Sequence, residues 1–213
     1  MLTVHHLGKS QSERIVWLCE ELAIPYELKL YTREPVALLA PPDLRAAHPA
    51  GTAPLMTDDG VTIGESAAIM EYILAKYGGG RLAYGPQQPE FAQYLYWFHF
   101  TNGNLQPHLG RNMILGRTGL PPEHPVMVSA RSRVDRALAM LEARLGEAPW
   151  LAGGEFTAAD IMLVFTLTTM RYFMPWDLGG YPRILAYLQR ISQRDAYQRA
   201  MAKGDPGMKL LLT

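Results

Sequence analysis

Gly51-Thr52-Ala53-Pro54-Leu55-Met56-Thr57-Asp58-Asp59-Gly60-Val61-Thr62-Ile63-Gly64-Glu65-Ser66 brings two strand signals, a turn and a helix start together in one run. Ala53 to Met56 and Val61 to Ile63 are short apolar or β-branched runs. Asp58-Asp59-Gly60 between them is a turn signal, so the two read as a hairpin. A helix follows at once, from Glu65 or Ser66 to Tyr77. Upstream, Leu2, Val4 and His6 fall on one face of a strand, and Tyr26, Leu28 and Leu30 alternate with Glu27, Lys29 and Tyr31 in another. Ile15, Leu18, Cys19 and Leu22 stand at i, i+3, i+4 and i+7, a helix between those strands that points Cys19 inward as an inert small hydrophobe. A loop rich in Pro and Ala leads to the hairpin. The order β-α-β, then β-β-α, gives a small α/β sandwich.

Downstream only the helical period recurs. Val134, Leu138, Leu141 and Leu145 form one stripe, and Ile184, Leu185, Leu188 and Ile191 another, so this half is expected to be all-helical. Phe91 to Leu109 is aromatic nearly all round, and a helix there must be covered on more than one side. In Phe156-Thr157-Ala158-Ala159-Asp160-Ile161, Thr157 can cap a helix, Asp160 can reach back to the cap and Phe156 can staple to Ile161. Asp160 is therefore expected to be structural. Between the halves, Gly78-Gly79-Gly80 through Gly85-Pro86 to Pro89 reads as a linker. The expected domains are residues 1–80 and 90–213, joined by 81–89. Their charges differ in sign: residues 1–80 carry Lys+Arg 6 and Asp+Glu 10, net −4, and residues 81–213 carry 14 and 10, net +4.

Composition narrows the function. The 213 residues are 48% hydrophobic and 19% charged, with Lys+Arg 20 balancing Asp+Glu 20, which argues against a nucleic-acid binder or a polybasic membrane anchor. Cys19 is the one cysteine, so neither a disulfide scaffold nor a zinc finger is available and a reducing, cytoplasmic setting is expected. The apolar run Ile161 to Phe165 is far too short to cross a bilayer, and His5, His6, Lys9, Glu13 and Arg14 do not suit a signal peptide. No metal site is proposed.

Four stretches, in this order and on this element pattern, carry a resemblance over nearly the whole chain. They are His6-Leu7-Gly8-Lys9-Ser10-Gln11-Ser12-Glu13-Arg14, His48-Pro49-Ala50-Gly51-Thr52-Ala53-Pro54-Leu55, Gly64-Glu65-Ser66-Ala67-Ala68-Ile69, and Trp150 to Asp160 (WLAGGEFTAAD). Together they resemble the cytosolic glutathione transferases, most closely the bacterial serine-type members. The resemblance implies a thioredoxin-like N-terminal domain followed by an all-helical one. It also implies a cis bond before Pro54 that leaves the Ala53 backbone, beside Thr52, free to pair with the cysteinyl part of glutathione. By the same resemblance, Ser66 is expected to take the γ-glutamyl carboxylate and Glu65 to contribute at the same end, including its ammonium.

Only the thiolate of glutathione is a good nucleophile, and its thiol should have a pKa near the free-cysteine value of about 8.5. A hydroxyl at the first turn of a helix can stabilise the anion. Ser10 is the first candidate and Ser12 the second; Ser10 and Glu13 also fit a capping box, which leaves pure capping as the alternative. His5, His6 and Tyr31 are weaker candidates, and the two histidines, on or beside a strand with no acidic partner at a telling spacing, read more readily as scaffold. For the glycyl carboxylate, Pro41 to Ala50 offers only Arg45 and His48. The function implied is attack of the bound thiolate on a small hydrophobic electrophile between the domains, lined by Tyr96, His99, Phe100, Asn102, Asn104 and Tyr172. A glutathione-dependent peroxidase and a non-enzymatic adaptor of the same fold are the alternatives. A homodimer is expected, the first domain of one chain on the second domain of the other.

Overall fold

A computed structural model describes all of residues 1–213. Strands β1 (Thr3–Leu7), β2 (Glu27–Tyr31), β3 (Leu55–Asp58) and β4 (Val61–Gly64) form one sheet in the order β2-β1-β3-β4. β1 runs parallel to β2, with Val4 opposite Leu28, and antiparallel to β3, with Val4 opposite Met56. The hairpin reading holds: β3 and β4 pair from Leu55–Gly64 to Asp58–Val61, and Asp59 and Gly60 turn at positive φ, 47° and 83°. Asp58 fastens this turn to α3 (Ser66–Tyr77) by accepting from Lys76 at 2.6 Å, Tyr77 at 2.6 Å and Tyr72 at 3.1 Å. Those donors, Lys76 foremost, hold its pKa down to about 2.

β1, flanked by β2 and β3, is buried on both faces, Val4 and His6 on one and His5 and Leu7 on the other. In β2 the alternation inverts at its end: Leu30 is 52% exposed while Tyr31 is buried, as befits an edge strand that helices do not fully cover. The Pro/Ala-rich loop also contains a short helix, α2 (Pro42–Ala46), with Pro42 in its first turn and Leu44 as its buried anchor. One anchor is too little to make a period.

Helix α1 (Glu13–Leu22) is buried along every residue but Glu21. It lies between the sheet and the helices that follow β4, and no strand occurs beyond Gly64. Those helices are α3, α4 (Phe91–Phe100), α5 (Gln106–Leu115), α6 (Pro125–Glu147), α7 (Ala158–Leu167), α8 (Pro182–Ser192) and α9 (Asp195–Gly204). One core of 41 buried residues runs through both halves. Trp17 joins them, its ring against Tyr197 at 4.8 Å and Phe156 at 5.5 Å. Glu21 pairs bidentately with Arg194, both contacts at 2.7 Å, and Glu20 meets Arg199 and Lys203. Part of the charge difference between the halves is thus neutralised within the chain. Cys19 is fully buried and its thiol is pushed up to about 12, which makes it inert.

The aromatic segment expected as one helix is α4 and α5 with a π-turn, Thr101–Leu105, between them. Such a widened turn re-aims side chains, and here it carries Asn102 toward α1 and α3. At α7 the capping box forms in full. Asp160 is completely buried and accepts from Thr157 N at 2.9 Å, Leu151 N at 3.0 Å and Tyr187 Oη at 3.2 Å, so it also ties down the preceding loop and α8. Removing the carboxylate strands these buried donors as well as the cap. Asp160→Ala should therefore cost about 2–4 kcal/mol in denaturant unfolding. Activity per folded molecule should survive, and full stability with lost turnover would reassign Asp160 to chemistry.

Candidate active site

A cleft of about 560 Å³ opens where the end of β1 and the β3 approach face α5 and α7. Leu7, Lys9, Ser10, Gln11, Thr52 and Ala53 line one side, and Met113, Arg117, Phe165 and Phe173 the other. Arg33 and Arg45 complete a lining that holds four cations and no carboxylate. Lys9 sits at φ +52°, a left-handed residue in the turn that carries Ser10 onto the cleft wall. The Ala53–Pro54 bond is cis, and no hydrogen bond within the protein uses the Ala53 N–H or C=O. Backbone groups are therefore free beside Ser10.

The two serine candidates separate. Ser10 lines the cleft; Ser12 does not, being fully buried, with its Oγ 2.7 Å from Ser10 Oγ and 3.0 Å from His6 Nδ1. The Ser10–Glu13 capping box does not form. Ser12 is the N-cap residue without a side-chain cap, and Glu13 points into the protein, where burial pushes its carboxyl up to about 8 against a hydrogen bond with Thr169. His5 and Tyr31 bond to each other at 2.9 Å, and His5 also meets Thr57, as scaffold residues should.

Glu65 is exposed at φ +68°, a strained backbone for a glutamate at the start of α3. Ser66 is buried and faces the other half: its hydroxyl accepts from Arg14 at 3.1 Å and Asn102 at 3.0 Å, and it does not line the cleft. Arg14 is the hub. Its guanidinium is wholly buried, forms no ion pair, and donates to Gln11 at 2.6 Å, Asn102 at 3.2 Å, Gln106 at 2.9 Å and Thr166 at 3.3 Å as well as to Ser66. Burial lowers its pKa to about 9, still high enough to keep it charged near neutrality.

None of Tyr96, His99, Phe100, Asn102, Asn104 and Tyr172 lines the cleft. Phe100 is in the core, Tyr96 and His99 lie exposed on α4, Asn102 belongs to the Arg14 network, and Tyr172 donates to Lys209 O. His48 does not line it either, and turns its Nδ1 to the Ala50 N–H. Sequence reading missed Lys9, Gln11, Arg33, Met113, Arg117, Phe165 and Phe173. Of these, Lys9 and Gln11 flank Ser10 in sequence and were within reach of inference. No three metal-ligating side chains come together.

Residues 10–76 match the model of the glutathione S-transferase N-terminal domain, and residues 106–190 that of the C-terminal domain. Glutathione S-transferase 3 of Schizosaccharomyces pombe is 32% identical over 216 residues, covering 95% of this chain and 88% of that protein. The chain belongs to the glutathione S-transferase family. The crystal structure of a glutathione S-transferase from Actinobacillus pleuropneumoniae superposes with a TM-score of 0.88 at 29% identity, covering 96% of this chain and 93% of that one. A theta-class glutathione S-transferase from Xanthomonas axonopodis pv. citri, solved with glutathione bound, gives 0.70 at 26% identity over 93% and 96%. This family member has a thioredoxin-like N-terminal part and a helical C-terminal part.

The buried Glu13 generates a pH prediction. Its folded pKa is raised above the unfolded value of about 4.3, so the native state holds the proton more tightly. The stability this confers is full below the unfolded value and is lost as pH rises toward about 8. Glu13→Gln keeps the shape without the titration. Its melting temperature should match wild type near pH 4, exceed it increasingly from about pH 5 to pH 8, and level off above that. Parallel melting curves across that range would show Glu13 to be ionised in the folded protein.

Proposed function

We propose that this chain binds glutathione in the cleft, uses Ser10 to stabilise its thiolate, and delivers that nucleophile to a small hydrophobic electrophile. Glutathione transfer itself, with glutathione as co-substrate, comes with the family; the serine-type mechanism, site residues and electrophile class are our reading. What carries it is the cleft's lining: a hydroxyl beside an unengaged Ala53 backbone, among four cations and no carboxylate. Glutathione has two carboxylates and one ammonium, so such a lining attracts it. The cysteinyl part pairs with Ala53 beside Thr52, and the glycyl carboxylate goes to Arg45, which at rest is paired with Glu34 at 3.0 Å. The γ-glutamyl end goes to the start of α3, where first-turn N–H groups favour an anion and the exposed Glu65 meets the ammonium. With its hydroxyl engaged by Arg14 and Asn102, Ser66 acts there through its main chain.

The electrophile packs on Met113, Phe165 and Phe173, opposite Ser10, where proximity to the thiolate supplies much of the rate. Leu95 and Tyr96, exposed on α4, offer apolar surface for the homodimer. Residues 1–80 and 90–213 act as its two domains, with 81–89 as linker. No helix is long and apolar enough to cross a membrane, and a single buried cysteine suits the reducing cytoplasm.

A hydrogen bond to a charged group is worth roughly 1.5–3 kcal/mol, so Ser10→Ala should raise the pKa of bound thiol by about 1–2 units. Turnover near neutrality should fall with it. Ultraviolet titration of the thiolate in wild type and Ser10→Ala checks this, and an unchanged profile would remove Ser10 from the chemistry. For the dimer, light scattering at micromolar concentration should give twice the chain mass; a monomer would end that part of the reading.

A further inference from the structure

Behind Ser10 a chain of hydrogen bonds runs out of the cleft into the protein. Ser10 Oγ lies 2.7 Å from Ser12 Oγ, Ser12 Oγ 3.0 Å from His6 Nδ1, and His6 Nε2 3.1 Å from Asp205 Oδ2. Ser12 is 0% exposed and His6 1%. Asp205 stands just past α9, at the far end of the chain, and its other oxygen accepts the Lys9 N–H at 2.9 Å. One carboxylate thus holds both the histidine and the turn that presents Ser10. Room for this contact depends on Gly204, where a Cβ would come within 3.1 Å of His6 Nε2.

Donor rules set the direction of these bonds. A carboxylate only accepts, so His6 Nε2 carries a proton, and in the neutral ring Nδ1 is then an acceptor that Ser12 must serve. The other acceptor open to Ser12, Leu7 O, is longer at 3.4 Å. Ser12 Oγ accepts the Leu7 N–H at 3.1 Å and, at 2.7 Å, the Ser10 hydroxyl. Ser10 Oγ in turn accepts the Ser12 N–H at 3.2 Å. At rest, then, the Ser10 proton points away from the cleft and a lone pair faces it. That arrangement receives an S–H; it does not stabilise a thiolate.

We propose that His6 takes the proton of the glutathione thiol through Ser10 and Ser12, with Asp205 fixing the accepting tautomer. The proposal rests on the transferase reading above. The S–H bond breaks as its proton joins Ser10 Oγ, the proton that Ser10 held passes to Ser12 Oγ, and that of Ser12 passes to His6 Nδ1. Thiol and neutral imidazole become thiolate and imidazolium; no electron is transferred and no proton leaves for solvent. Each serine keeps one proton but reverses it, so Ser10 now donates to the sulfur it has just deprotonated. Asp205 faces the imidazolium directly. Glu13 on α1 lies near that carboxylate but is neutral at pH 7, because burial raises it to about 8. Arg33 adds a positive charge near Asp205, with its guanidinium on Gly8 O and Lys9 O, while the Lys9 ammonium turns away over the Tyr172 ring. His6 touches no substrate and is a positioning and proton-holding residue.

Nitrogen NMR of histidine-labelled protein reads the protonation of His6 Nδ1 directly. Adding glutathione should protonate it, and S-methylglutathione, which has no proton to give, should not. Asp205→Asn, which keeps the acceptor for Lys9, should bind glutathione as wild type does. Its turnover near neutrality should fall on the order of tenfold or more and recover at alkaline pH, where the thiol ionises unaided. His6→Gln should behave likewise; if it does not fold, the NMR measurement on wild type still decides. Thiolate absorbance appearing in wild type while His6 stays neutral, or an unchanged pH profile in a folded Asp205→Asn, overturns the relay and leaves the transferase reading intact. No thiolate in wild type at any pH below the thiol pKa of free glutathione removes the thiolate-stabilising reading of Ser10, and the relay with it.

Discussion

The buried guanidinium of Arg14 ties the two halves of the molecule together. A cation without a carboxylate partner is costly inside a protein unless acceptors replace its lost water. Here both Nη atoms find acceptors in both halves, Gln11 and Ser66 from the first and Asn102, Gln106 and Thr166 from the second, while Nε is left without a partner. Because these hydrogen bonds are directional, the network fixes the relative position of the halves more sharply than apolar packing, which has no direction. The π-turn at Thr101–Leu105 makes sense in this light, since it brings Asn102 to both Arg14 and Ser66. Phe165 stacks on the same guanidinium at 5.2 Å while its ring lines the cleft.

From that fixed interface the cleft follows. α1 cannot shift, because it is buried nearly throughout, and the turn before it is held at Lys9 by Asp205 and at Gly8 by Arg33. Ser10 is thereby placed on a wall whose opposite side is built from α5, α7 and the segment near Phe173. Three of the four cations of the lining, Lys9, Arg33 and Arg45, and the free backbone at Ala53 belong to the first half, whereas Arg117, Met113, Phe165 and Phe173 belong to the second.

Much of this was legible in the sequence, for physical reasons. Strand and helix periods, the Asp-Gly turn and the α7 capping box are local, and local rules suffice for them. The cis peptide and the site at Ser10, Ala53 and Glu65 came from resemblance rather than periodicity. What escaped was long-range. His6 looked like scaffold because its carboxylate partner is 199 residues away. Ser66 looked like a ligand hydroxyl because nothing local announces that Arg14 and Asn102 would take it. The six residues chosen for the second substrate came from an aromatic-rich stretch and from Tyr172, but helix phase turned Phe100 into the core and Tyr96 and His99 to solvent. Met113, Phe165 and Phe173 carry no motif, and only the packing of α5 and α7 brings them to the cleft.

The turn before α1 presents the Ser10 hydroxyl on the cleft wall, where the sulfur of bound glutathione is predicted to lie. A crystal structure of the protein with glutathione bound tests it most directly. The sulfur is predicted within hydrogen-bonding reach of Ser10 Oγ, with the cysteinyl backbone paired to Ala53 and the glycyl end toward Arg45. A complex in which glutathione occupies the cleft with its sulfur beyond the reach of Ser10 would contradict the account.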